Sequence, residues 1–358
     1  MLTGQPMAPA KPNVLAAAVP FCAMAAVVAA DLATGPQIGL LPVLSLGPAL
    51  APVALDPVRT ALTGVLAVLL SLMLAAVDGI WFSTHAAIAL ATIGGVTAAG
   101  VAASAARQSR DKELVNVRAI ADVAQRVLLH QLPRRVGRDL IAVRYISAAA
   151  AARIGGDLYD VVAVQGTTRL IVADVQGKGL AAVQTAAVVL AAFRASAYDA
   201  ADLVTIAGHI ERSLGQQAPE GKFVTAIMAE LPAEGTEMRL LNCGHPAPVL
   251  VSGGQAGLAE PIQADLPLGL GDFAVDDRKE YTVPFGLGDS VLFYTDGISE
   301  ARDRSGAFYQ PVRQGARALL SGPDPDTVLD LLYADVLGHV GGHLHDDSAA
   351  LLVIRQQA

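Results

Sequence analysis

The stretch RLIVADVQGKGLAA, residues 169–182, decides the reading of this chain. Its apolar run Leu170–Ala173 has the length and content of a buried strand. Asp174 closes the run, and Gly177 and Gly179 then mark a tight turn. An alanine-rich segment follows as far as Ser196 and reads as a helix. A strand that ends on a carboxylate and enters a glycine turn lets the backbone come close to a bound ion or phosphate. The arrangement recurs. Asp157 and Asp160 lie in IGGDLYD (residues 154–160), Asp296 precedes Gly297 in SVLFYTDG (290–297), and Asp346 and Asp347 precede SAALLVIR (348–355). A single such aspartate is ordinary turn chemistry. Several, each abutting an apolar strand, are expected to converge at one end of a sheet sandwich. There their repulsion is relieved by divalent cations, and an oxygen-only ligand set favours Mg²⁺ or Mn²⁺.

Outward from this region, composition divides the chain. Its 358 residues are 53% hydrophobic and only 16% charged, too apolar for an ordinary soluble domain. From Pro12 to Ala106 the formal charges are Asp31, Asp56, Arg59 and Asp78, whereas charges are frequent after Arg107. Four apolar stretches, 14–30, 37–55, 58–77 and 86–104, have about the length needed to cross a bilayer. The second contains Pro42, Pro48 and Pro52, which weaken a helix interior, so it is expected to be kinked or re-entrant. The first could instead be a cleaved leader. Arg107, Arg110 and Lys112 after the last stretch, with Lys11 and Arg59, place these flanks in the cytoplasm. The second half then lies there too, in a multi-pass cell-membrane protein. An odd number of spans moves only the N-terminus. Between the halves, Asp111 to Leu132 lacks Gly and Pro and carries Val117, Ile120, Ala124, Val127 and Leu128 on one helical face. This segment reads either as a stalk pairing two copies or as a helix packed on its own domain. Pro133 is expected to end it near Leu132.

Seven stretches of the second half carry a resemblance: IGGDLYD, ADVQGKGLAA, FVTAIMAEL, LNCGHPAPVL, LPLGLG, YTDGISEARD and HDDSAALLVIR. In this order and spacing they resemble the PPM-type (type 2C) serine/threonine protein phosphatases, in the bacterial subgroup related to the sporulation stage II E phosphatase. The resemblance covers about Asp139 to Arg355. It implies an α+β fold, an α-β-β-α sandwich, here preceded by an all-α transmembrane bundle. The expected division is a transmembrane region over 1–106, a stalk over 107–135 and a phosphatase domain over 136–358. The resemblance further implies two divalent cations, Mn²⁺ or Mg²⁺, with Asp174 bridging both. Asp157 and the Val175 carbonyl would serve one cation, and Asp296 and Asp346 the other. Water activated between the metals would attack phosphorus in line with the serine or threonine oxygen, without a phosphoenzyme. Asp160, Lys178, His245 and Asp347 are expected in hydrogen-bonding or phosphate-contact roles. His245 reads as a turn histidine in preference to a general acid. Gly155, Gly156, Gly177, Gly179 and Gly297 would shape the site. The implied partner is a phosphorylated protein, an anti-sigma-factor antagonist.

Two other classes share part of this pattern. A sensor histidine kinase shares spans, stalk and a glycine turn, and His130 resembles a phosphoacceptor, but no second glycine-rich ATP lid follows. A non-catalytic phosphoprotein-binding scaffold is disfavoured by the complete acidic set. The net charge of −8 argues against nucleic acid as a partner. Neither Cys22 nor Cys243 is followed six positions later by Arg, as a cysteine phosphatase requires, and GxxxxGK[ST] is absent.

Overall fold

The structure, a computed structural model, describes residues 14–34, 39–80, 83–146, 155–164, 166–218, 221–271, 277–322, 324–344 and 346–356. The chain divides into two compact units, 1–116 and 117–358.

In the first unit, α1 (Val14–Thr34), α3 (Pro57–Val77) and the first part of α4 (Thr84–Leu128) are long and apolar enough to cross a membrane. Met24, Leu44, Leu74 and Ile93 meet in its core, while Leu15, Leu62 and Val77 point outward. The expected second span does not form one helix. Its described residues fold as a 3₁₀ turn (Leu41–Ser45), the short α2 (Leu46–Leu50) and a second 3₁₀ turn (Ala51–Val53). The prolines in each piece withhold N–H donors from a continuous ladder. Even as one helix, 41–53 would rise only about 20 Å, short of the roughly 30 Å hydrocarbon core. The carbonyls left over find partners: Leu55 O accepts from Ser104 Oγ at 2.8 Å and from Arg107 at 3.0 Å. At the start of α3, the Asp56 carboxylate accepts from the Arg59 N–H at 2.8 Å, with Pro57 in the first turn.

The second unit is a four-layer α-β-β-α sandwich. One sheet has the order β1-β2-β11-β10-β7-β8, from Arg135–Val136, Asp139–Ile146, Ser348–Arg355, Ser290–Tyr294, Val249–Ser252 and Gln255–Leu258. The other runs β3-β4-β5-β6-β9, from Leu158–Val164, Thr167–Val175, Val224–Pro232, Glu237–Cys243 and Tyr281–Pro284. Neighbouring strands are antiparallel throughout. The first sheet is covered by α8 (Ala316–Leu319) and α9 (Pro325–Val340), and the second by α5 (Leu180–Ser196) and α6 (Leu203–Gln217). Central strands β4 and β11 are apolar on both faces because both faces are covered. On β4, Leu170 and Val172 enter the core between the sheets, and Ile171, Ala173 and Val175 face the helices. On β11, Ala349, Leu351 and Val353 enter the same central core, and their alternate neighbours face α9.

Buried ion pairs tie the layers. Arg355, 2% exposed, donates to Asp139 at 2.9 and 3.2 Å and lies over the Phe285 ring. Arg169 donates to Glu230 at 2.7 Å and to the Ala197 and Ala200 carbonyls beyond α5. Asp202 caps α6 through the Thr205 N–H at 2.7 Å. Helix α4 ends at Leu128, four residues short of the expected stop. Leu129 N–H still bonds Gln125 O, and Arg194 takes the Leu128 carbonyl at 3.0 Å. Val117, Ile120 and Ala124 of the expected stripe lie outside the described side chains. Val127 is exposed, and Leu128 packs against the α5–α6 cluster.

Candidate active site

Side-chain parity brings the aspartates together. Tyr159 and Val161 of β3 point into the inter-sheet core, so Asp157, two residues earlier, lies on that same side where the core opens. Asp174 follows Leu170 and Val172 in the same phase on β4, and Asp347 precedes Ala349 in phase on β11. Asp296 begins the single turn α7 (Asp296–Ser299) directly after β10 and Thr295. The two sheets thus each deliver carboxylates to one end of the sandwich. A cavity of about 110 Å³ there is lined by Gly156, Asp157, Asp174, Val175, Gly177, Lys178, Asp296, Asp346 and Asp347. All four expected metal-ligating aspartates, the Val175 backbone, Lys178 and Asp347 therefore meet in one place.

The glycines act through space as much as through conformation. A Cβ at residue 156 would sit 2.4 Å from the Val175 carbonyl oxygen, so Gly156 leaves that oxygen uncovered. A Cβ at 155 would fall 2.0 Å from Asp347 Oδ2, and one at 297 would fall 1.9 Å from the Asp347 carbonyl. Gly177 and Gly179 take φ of 92° and 84°, in the left-handed region that side chains resist.

Burial and neighbouring carboxylates raise the acids of this cluster. Burial first, then the Asp174 charge, pushes the Asp157 carboxyl well above the usual carboxylate range. Asp174 is pushed up to about 7, by burial and then by Asp296. Asp296 is raised by burial and then by Glu300 and Asp346. Thr295, fully buried, donates to Asp157 Oδ2 at 2.8 Å and accepts from the Ala349 N–H at 2.9 Å. Lys178 pairs with Asp346. Among the described residues no three His, Cys, Asp or Glu side chains close into a ready metal cage.

Two expected residues fall beside the cavity. Asp160 has the phase of Leu158 and Val162, which face α5, and lies on the opposite side of β3 from Asp157. It accepts from Arg194 of α5 and from the Val161 N–H at 2.7 Å, with His130 Nε2 at 3.6 Å. His130 also meets Arg194 at 2.9 Å. His245 spans the two sheets: Nε2 lies 3.1 Å from the Tyr294 carbonyl and Nδ1 3.1 Å from Thr225 Oγ1. A carbonyl accepts, so Nε2 carries the hydrogen and Nδ1 takes the threonine proton. Burial drives the ring's pKa down to about 4. With both nitrogens engaged, His245 is a neutral cross-sheet tie. Thr295 escaped the sequence reading because a threonine ending a strand is an ordinary β-former.

Two packed sheets, outer helices and an oxygen-rich carboxylate cluster at the sandwich edge define the PP2C class of serine/threonine phosphatases, a metal-dependent group. Residues 165–356 match the family described as Stage II sporulation protein E (SpoIIE), and the chain belongs to that family. Over 238 residues, 66% of this chain and 69% of the relative, it is 22% identical to the phosphoserine phosphatase RsbU of Bacillus subtilis (strain 168). Among solved structures, the RsbU and RsbW domains of Rv1364c from Mycobacterium tuberculosis superpose with a TM-score of 0.52 and 26% identity. That match covers 61% of each chain, so this protein spans less than two thirds of that relative. The SiaA-PP2C domain of Pseudomonas aeruginosa shares the fold, with a TM-score of 0.56 and 18% identity over 70% of this chain and 99% of that one.

Proposed function

We propose that this protein is a membrane-anchored phosphatase hydrolysing phosphoserine or phosphothreonine on a partner protein, with two divalent cations held at the cavity. The observation that carries the reading is the meeting of Asp157, Asp174, Asp296 and Asp346, from both sheets, in one cavity. The donor set fits such ions. It is four carboxylates and the uncovered Val175 carbonyl, all hard oxygens suited to Mn²⁺ or Mg²⁺. The raised carboxyl groups are the signature of a site short of positive charge.

Asp174, whose carboxyl interacts with both Asp157 and Asp296, would serve both ions. Asp157 and the Val175 carbonyl would hold one, and Asp296 and Asp346 the other. Bound cations supply an acidified water as nucleophile and offset charge on the phosphoryl oxygens. Thr295 fixes the rotamer of Asp157. Lys178, in the same lining, supplies a charge to orient the phosphoryl group. Asp347 and the glycines at 155, 156 and 297 hold the cavity's shape.

Three long apolar helices support a multi-pass anchor, and Arg107, Arg110 and Lys112 support a cytoplasmic phosphatase half. The exposed Val123 and Val127 near the end of α4 support a homodimer through that helix. The relative called phosphoserine phosphatase RsbU, and a solved chain with RsbU and RsbW domains together, support partner-switching signalling with an anti-sigma-factor antagonist as substrate.

The test uses the full-length chain in detergent, with p-nitrophenyl phosphate and a phosphoserine peptide under Mn²⁺ and Mg²⁺ titration. Turnover that needs the metal and falls at least about 100-fold in Asp174→Asn is expected. Metal binding without turnover of either substrate refutes the hydrolytic reading. Unchanged phosphorylation of such antagonists after deletion of the gene refutes the substrate.

A further inference from the structure

A second cavity, of about 240 Å³, opens beside the first and shares Asp296 and Asp346 with it. Its other lining residues are Gly297, Glu300, Ala301 and Arg302. Arg302 is the single cation in that described lining, set among three carboxylates. Its guanidinium lies over the Phe308 ring, 4.5 Å from the centroid. Among the described residues it makes no hydrogen bond or ion pair, so stacking positions the group while its N–H edge stays available.

The segment that presents Arg302 is a rigid hairpin. Arg302 bridges Phe308, and the Tyr309 N–H bonds the Ala301 carbonyl at 2.8 Å. At the tip, Asp303 Oδ1 accepts from the Ser305 N–H at 2.8 Å, the Ser305 hydroxyl at 2.6 Å and the Ala307 N–H at 3.0 Å. Gly306, at φ 88°, closes the turn. Such a hairpin holds an exposed arginine in place at little further cost in side-chain freedom.

We infer that this second cavity is a substrate subsite, and that Arg302 selects a phosphopeptide with an acidic residue next to the phosphorylated serine or threonine. The inference rests on the phosphatase reading of the adjoining site. The smaller cavity, with Lys178 and the cations proposed for its carboxylates, would take the phosphoryl group. The larger one then faces the chain beside it, where a free guanidinium edge matches a carboxylate fork. The oxyanion recognised has two sources, the flanking carboxylate or the phosphoryl group itself, and the experiment separates them.

Full-length protein in detergent is given two phosphoserine peptides differing only in Asp or Lys beside the phosphoserine. Hydrolysis is measured as KM and kcat, and binding by fluorescence anisotropy, which reads the subsite independently of turnover. The parent is expected to favour the Asp peptide in KM and in binding. Arg302→Gln should remove the preference, and Arg302→Glu should invert it, an overall change in the ratio of about tenfold or more. Equal weakening of both peptides in Arg302→Glu assigns the arginine to the phosphoryl group and overturns the inference. So does a parent that binds both peptides alike. Turnover of p-nitrophenyl phosphate by the parent, which involves no flanking residue, reports separately on the phosphatase reading.

Discussion

The neutral histidine that ties the two sheets makes the stability of the phosphatase half depend on pH in a calculable way. His245 is 6% exposed, and its pKa falls from an ordinary value of about 6.5 in the unfolded chain to about 4 in the fold. The cause is burial, which outweighs the pull of nearby backbone carbonyls toward the charged ring. Because the folded value is the lower one, the unfolded chain binds the proton more readily. The stability contribution is therefore complete above about pH 6.5 and is lost as pH falls toward 4. At about 1.4 kcal/mol per tenfold in proton affinity, the whole gap amounts to about 3 kcal/mol, of which about 2 kcal/mol is gone at pH 5. Asp157, Asp174 and Asp296 act in the opposite sense, since their folded values are raised and acid relieves them. The measurement must therefore compare the parent with His245→Asn, in which only the histidine's contribution is missing.

Cys243 provides the probe. It is fully buried, with a thiol pushed up to about 12, so it reacts only when the domain opens. In a Cys22→Ser background, full-length protein in detergent is titrated with urea at pH 7 and pH 5. Labelling uses 4,4′-dithiodipyridine, which still reacts in acid. The parent should lose about 2 kcal/mol more than the His245→Asn variant between the two pH values. Equal losses would show that His245 takes up a proton in the fold as readily as in the unfolded chain, and would refute a cross-sheet tie that stays neutral at pH 5.

Asp139→Asn leaves the Arg355 guanidinium buried without its counter-charge and should cost about 3–5 kcal/mol in the same urea assay; a loss below 1 kcal/mol would mean that water reaches the pair. Thr295→Val removes the donor to Asp157 and the acceptor for the Ala349 N–H, and should weaken Mn²⁺ affinity about 10–100-fold by calorimetry. Unchanged affinity would separate Asp157 from the metal. Gly297→Ala places a methyl group 1.9 Å from the Asp347 carbonyl, so β10 and β11 must part at the cavity. Metal-dependent turnover should fall about 100-fold, checked by steady-state kinetics, with near-native activity counting against a rigid site.

What could be read in the sequence, and what could not, follows from the range of each interaction. The proline-broken segment at 41–53 was legible because Pro42, Pro48 and Pro52 act within a turn of themselves. The strand ends were legible because apolar runs and the aspartates that close them are adjacent. The strands flanking the site, however, are buried on both faces, so alternation of polar and apolar residues cannot tell which face looks between the sheets. That is why Asp157 and Asp160, three residues apart, read as neighbours in one site yet fall on opposite sides of β3. It is also why His245 could not be assigned from its own turn, since its two partners lie 20 and 49 positions away. The same reasoning bears on Arg302. Nothing in YTDGISEARD distinguishes an idle surface arginine from one held against an aromatic ring beside the carboxylates. Only the hairpin that returns Phe308 to it does so, and the absence of an ion-pair partner for its guanidinium among the described residues is what the proposed subsite calls for.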